Sequence, residues 1–161
     1  MSMRIRIILA GRIRESYLKE AVGEYLKRLG RYATVDLIQL PDEPVPEKYF
    51  EKELEMARRV EAGRILQTLK EEEYVVAMDI EGKRLSSVEF SQWLEQRALS
   101  GDSSLAFVIG STTGLDPSVI ARANFRLSMG PMTFPHQFMP LLLAEQIYRA
   151  FRIRAGEPYH R

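Results

Sequence analysis

The chain has 161 residues, is 45% hydrophobic, carries a formal charge of +1 and contains no cysteine. A chain of this size buries about two thirds of the surface its unfolded form exposes, so a single domain over residues 1–161 is expected, with no disulfide or structural metal needed to hold it. The two histidines, His136 and His160, lack the paired spacing of a zinc site, and neither a cleavable leader nor a membrane-length apolar run is present, so a cytoplasmic protein with no metal and no membrane partner is expected.

The run Ile5 to Ala10 is β-branched and ends at Gly11, the pattern of a first strand. Leu18, Val22, Tyr25, Leu26 and Leu29 then recur at helical spacing and stop at Gly30. Val35 to Leu40 reads as a second strand closed by Pro41, and an acidic, proline-containing loop leads to a long charged helix from about Tyr49 to Leu69. Tyr74 to Met78 is an apolar run of the kind buried on both faces. Ser86 and Glu89 have capping-box spacing and open a helix through Trp93 and Leu94 to Gly101.

Leu105 to Ile109 is another buried strand, and Asp116-Pro117 sets a helix start. Phe125 to Leu127 is a short last strand, followed by an apolar helix from roughly His136 to Phe151, in which Pro140 marks a natural start. Strands alternate with helices throughout, so the expected class is α/β, a mainly parallel sheet with helices on both faces.

Open parallel sheets bind ligands beyond the carboxyl ends of their strands, which directs attention to three loops. They are Asp79 to Lys83, Gly110 to Gly114 and Ser128 to Phe134, each containing glycine. Glycine permits a close approach of ligand to backbone, as a small molecule read by main-chain groups requires. Any one loop alone reads as an ordinary turn; their coincidence on one sheet edge points to a site. The phosphate loop Gly-x-x-x-x-Gly-Lys-Ser/Thr, the dinucleotide motif Gly-x-Gly-x-x-Gly and the hydrolase elbow Gly-x-Ser-x-Gly are all missing.

Charge is unevenly distributed. Arg4, Arg6, Arg12 and Arg14 begin the chain and Arg149, Arg152, Arg154 and Arg161 end it, while residues 42–57 are acidic. If the two ends meet on one face, that face could attract phosphate, although solvation of the surface is the plainer reading.

The segments Leu127-Ser128, Met132 to Gln137, Glu145 to Ala150 and the terminal Pro158-Tyr159-His160-Arg161 resemble the signature of the RlmH-type pseudouridine methyltransferases of the SPOUT superfamily. The resemblance covers the whole chain. It implies a C-terminal trefoil knot, a homodimer, and S-adenosyl-L-methionine held by Met78, Gly110, Met129, Gly130, Pro131, Met132, Thr133 and Phe134. It also implies methylation of N3 of a pseudouridine in 23S ribosomal RNA, on the free RNA or the assembled ribosome. Three positions depart from the family pattern: Met78 stands for leucine, Ser111 for the second glycine of a pair, and Pro140 for arginine.

Within this resemblance the catalytic candidates are His160, Tyr159 and Arg161. His160 has the residue type to take the N3 proton at neutral pH, Tyr159 to stack on a base, and Arg161 to meet a phosphate. Residues 156–161 contain no large aliphatic side chain, so the tail is expected to serve RNA rather than the fold. His136 is expected to hydrogen-bond the neighbouring loop, and Glu145 to be a paired, buried carboxylate. The leucine-rich helix is apolar nearly all round, which suits a dimer interface. Two rival readings remain at this level: a noncatalytic ribosome-binding factor of the same fold, and a related methyltransferase acting on transfer RNA.

Overall fold

A computed structural model describes residues 2–159. Its centre is a five-stranded sheet in the order β2-β1-β4-β3-β5, with every pairing parallel. The strands are β1 (Met3–Ala10), β2 (Ala33–Leu40), β3 (Tyr74–Arg84), β4 (Ser104–Ile109) and β5 (Phe125–Ser128). Helices α1 (Ser16–Leu29), α2 (Glu51–Thr68), α3 (Ser87–Leu99), α4 (Pro117–Arg122) and α5 (Met139–Arg154) connect or follow them.

Strand periodicity divides the core. Ile5, Ile7 and Leu9 of β1 and Leu105, Phe107 and Ile109 of β4 join the cluster built by α1, α3 and α5. The alternate residues Ile8, Ala10, Ala106 and Val108 meet Ala62 and Ile65 of α2 and Val119 of α4. This two-sided burial is why the strands read as continuous apolar runs rather than alternating ones.

Local signals explain the helix ends. The Ser86 Oγ accepts from the Glu89 N–H at 3.1 Å while Glu89 accepts from the Ser86 N–H at 2.8 Å, a complete capping box at α3. Asp116 caps α4 by accepting from the Ser118 N–H at 3.0 Å. Pro140 lies in the first turn of α5, where its missing N–H costs nothing. The expected helix start at His136 is therefore corrected: His136–Phe138 form a 3-10 turn, and the α-helix begins only at Met139. A proline at 140 would have clashed with the carbonyl of residue 136 in a continuous α-helix.

Three further expectations change. Strand β3 does not end at Met78. Residues 79–82 form an excursion after which the strand resumes, and both Met78 and Lys83 register on Leu127. Leu143 belongs to the intrachain core rather than to an outer face, as do Ala144, Ile147 and Ala150, while Leu141 and Leu142 stay partly exposed. The basic ends are matched internally in part: Arg6 pairs with buried Glu73, Arg149 with Glu145 and Arg152 with Glu157, while Arg12 and Arg14 stay exposed.

Candidate functional site

The excursion after Met78 and the loops after β4 and β5 converge on a cavity of about 410 Å³, within the range of small-ligand sites. Met78, Gly110, Met129, Gly130, Met132, Thr133 and Phe134 all contribute to its wall. Pro131 does not; it lies exposed at the bend that follows Gly130. Ile80, Ile109, Leu115 and Leu127 add apolar surface, and Asp79 and His136 are the titratable groups in the wall.

The second loop is held by side chains. The Glu61 carboxylate of α2, only 2% exposed, accepts from the Ser111 hydroxyl at 2.7 Å, the Thr113 hydroxyl at 3.1 Å and the Glu43 backbone N–H at 2.8 Å. These bonds satisfy a buried charge that would otherwise be costly, and they fix Ser111 and Thr113 to a helix outside the cavity. Ser111, the departure from glycine, thus supplies a brace in exchange for backbone freedom. Glu61 does not stand out in the sequence. The only signal is its register with Ala57, Ala62 and Ile65, the buried stripe of α2.

Gly110 is required for a reason other than ligand approach. A Cβ built there would lie 2.9 Å from the Gly114 carbonyl carbon and 3.2 Å from Leu115 Cδ2. The glycine therefore permits the loop to close on itself, with the Gly114 N–H donating to the Ser111 carbonyl at 3.0 Å and Gly114 at φ +82°.

The first loop is clamped to β5. Arg126 Nε donates to the Asp79 carboxylate at 2.8 Å, and a Cβ on Gly82 would lie 2.7 Å from the Arg126 backbone. The third loop depends on its own chain. Gly130, at φ +115°, donates to the Oγ of buried Ser128 at 3.1 Å, while Met132 is 74% exposed and Phe134 is 43% exposed at the mouth.

His136 stands in the cavity wall beside Gly11, where an added Cβ would be 3.5 Å from its Nε2. Among the described residues its ring makes no hydrogen bond, contrary to expectation. Burial pushes its pKa down, with Asp42 and Glu61 opposing in part, so the ring is neutral at pH 7. Glu145 is paired as expected, accepting from Arg149 Nε at 3.0 Å.

Tyr159, expected to stack on a base, is half-buried against its own chain. Its ring meets Tyr148 edge-on at 5.1 Å between centroids and lies 4.7 Å from the Arg149 guanidinium, and its hydroxyl is 3.4 Å from that of Tyr25. Burial is the main reason its phenol pKa is raised. Edge-on ring contact and a guanidinium over the ring are the usual ways in which a tyrosine packs. His160 and Arg161 lie outside the described residues. No group of three or more potential metal ligands occurs among the described residues, and none of their helices is long and apolar enough to cross a membrane.

The cavity offers apolar walls and main-chain groups, an arrangement suited to a small, partly apolar ligand. The family model described as "Predicted SPOUT methyltransferase" matches residues 3–160. The ribosomal RNA large subunit methyltransferase H of Enterococcus faecalis is 48% identical over 159 residues, covering 99% of this chain and all of the relative. The protein of the same name from Bacillus cereus is 50% identical over the same length and coverage. Among solved structures, a tRNA (m1G37) methyltransferase from Aquifex aeolicus aligns with a TM-score of 0.54 at 14% identity, covering all of this chain and 77% of that one, a likeness of fold.

Proposed function

The chain belongs to the SPOUT methyltransferase family, and from that premise we propose that it methylates N3 of a pseudouridine in 23S ribosomal RNA using S-adenosyl-L-methionine. The observation that most supports this reading is the meeting of three loops, from β3, β4 and β5, around one cavity. The cofactor fits the donor set: Ile80, Ile109, Leu115 and Leu127 offer an apolar seat, and the glycine-containing loops expose main-chain groups to a polar ligand. When bound, it supplies a methyl group on a sulfonium, which the attacking nitrogen takes while the carbon–sulfur bonding pair stays on sulfur. The protein's own residues then mainly orient the partners, a contribution of up to roughly 7–11 kcal/mol in well-aligned systems.

In this reading the Glu61 brace fixes the second loop, neutral His136 adds no positive charge to a wall that would hold a cationic cofactor, and the Arg126–Asp79 pair holds the first loop. His160 takes the N3 proton, and Arg161 meets a phosphate of the RNA. Tyr159 is anchored on Tyr148 of α5. The working protein is a cytoplasmic, single-domain, knotted homodimer that needs no metal, with the partly exposed Leu141 and Leu142 at the subunit contact.

The test is methyl incorporation from labelled cofactor into isolated transfer RNA, free ribosomal RNA and assembled ribosomes, with calorimetry of cofactor binding with and without chelator. Incorporation at a pseudouridine of the large subunit, with binding indifferent to chelator, is expected. Methylation of transfer RNA alone, or RNA affinity without cofactor affinity, would overturn the reading.

A further inference from the structure

A second hollow, of about 670 Å³, opens beside the cofactor cavity and shares with it Ser111, Thr112, Thr133, Phe134 and His136. We propose that this hollow seats the target base, a flipped-out pyrimidine stacked on Tyr17; the proposal rests on the methyltransferase reading above.

A methyl acceptor must come within about 3–3.5 Å of the reacting carbon, so it has to enter through a wall common to both sites. Two hollows have such a wall. The other, about 270 Å³, is backed by the buried residues Phe90, Leu127, Ser128 and Leu143, side chains already committed to the core or to the third loop. The larger hollow has exposed groups in its wall, Glu15, Tyr17 and Pro135, beside the buried Leu18 and Ser111.

Tyr17, in the first turn of α1, is 57% exposed, and its ring has no aromatic partner among the described residues. A half-exposed tyrosine facing a hollow, with Phe134 and Phe138 in the same wall, is the kind of platform on which unpaired bases stack. Edge recognition is available beside it. Gln137 spends its Oε1 on the Arg14 backbone N–H at 3.0 Å, which leaves its NH₂ to donate to a base carbonyl, and the Glu15 carboxylate can accept from a base N–H. Arg12 and Arg14, both exposed in the segment leading into α1, supply positive charge for the flanking phosphates.

The test compares wild type with Tyr17→Ala, Tyr17→Phe and Tyr17→Trp by three measurements: cofactor affinity by calorimetry, methyl transfer to unmethylated ribosomes, and saturation-transfer NMR with pseudouridine 5′-monophosphate on protein loaded with S-adenosylhomocysteine. Tyr17→Ala is expected to keep cofactor affinity and melting temperature, to lose at least tenfold in methyl transfer and to lose the NMR contact to base protons. Phe and Trp should restore both. Methyl transfer by Tyr17→Ala within twofold of wild type, an equal loss of cofactor affinity, or a wild type without base contact would each overturn the pocket. Base contact in a wild type that methylates no RNA would instead overturn the assigned reaction and leave the pocket standing.

Discussion

The second loop of the cofactor cavity is tied down by side chains from outside it, whereas the third is shaped by its own backbone and leaves its largest side chains in solvent. Ser111 and Thr113 are bonded to the buried Glu61, and Gly110 packs against Gly114. By contrast Met132 and Phe134, 74% and 43% exposed, wait at the mouth with only the Ser128–Gly130 contacts beneath them. The difference teaches that the two loops hold a ligand in different ways: the second offers a surface braced from outside, and the third offers exposed side chains that a ligand would bury, with the rotamer cost of immobilising them.

The comparison breaks most severely at Gly110. Gly110→Ala places a Cβ 2.9 Å from the Gly114 backbone, and overpacking of about 1–3 kcal/mol should weaken cofactor binding by up to about a hundredfold. Calorimetry showing unchanged affinity would mean that the second loop does not hold the ligand.

Glu61→Ala comes next. It strips the shared acceptor from two hydroxyls and one backbone N–H, a loss of about 1–3 kcal/mol. Cofactor affinity should fall about tenfold, and the melting temperature by a few degrees. Adding Ser111→Ala should change little further, because both substitutions remove the same bond; independent, multiplying losses in a double-mutant cycle would show that no brace exists.

For the third loop, Phe134→Ala should lower affinity only a few-fold and leave the melting temperature unchanged, as expected of an exposed position. A drop in melting temperature would make the third loop as structural as the second.

The smallest effect concerns pH. His136 has a folded pKa depressed below about 6.5, chiefly by burial. Its neutral ring therefore contributes stability that is present above about 6.5 and is lost as pH falls through the lower folded value. Cofactor affinity should weaken in the same window, because a protonated ring would add positive charge to the wall of a cavity that takes a cation, and His136→Gln should flatten that dependence. A titration of affinity from pH 5 to 8 decides it; a wild-type profile as flat as that of the glutamine variant would remove His136 from the site.

Much of this was legible in the sequence where the signal is local. The strands announce themselves as β-branched runs, Ser86 and Asp116 as caps, and Pro140 as a helix start, because each depends on residues within a few positions. The three glycine-containing loops could be placed together from the strand-end rule alone. What could not be read depends on partners far along the chain. Glu61 lies 50 positions from Ser111, so a glutamate in a charged helix looked like any solvated acid. Tyr159 looked free because its partners, Tyr25, Tyr148 and Arg149, come from two helices brought together only in the folded chain. Leu143 read as surplus hydrophobicity because α1 and α3, which cover it, are remote in sequence.

The excursion in β3 has a consequence for how this scaffold can be varied. Since Met78 and Lys83 register on the same residue, Leu127, the intervening segment leaves and re-enters the ladder almost at one point. Asp79 and Gly82 are held against Arg126 of β5, whereas Ile80 and Glu81 between them are exposed and outside the ladder. Loop-closure entropy grows only slowly with length, so one or two residues added near Glu81 would change the rim of the cavity without shifting a strand. The tip of the first loop, Ile80 and Glu81, is thus the part through which ligand preference could be redesigned while its clamped ends and the rest of the protein are left as they are.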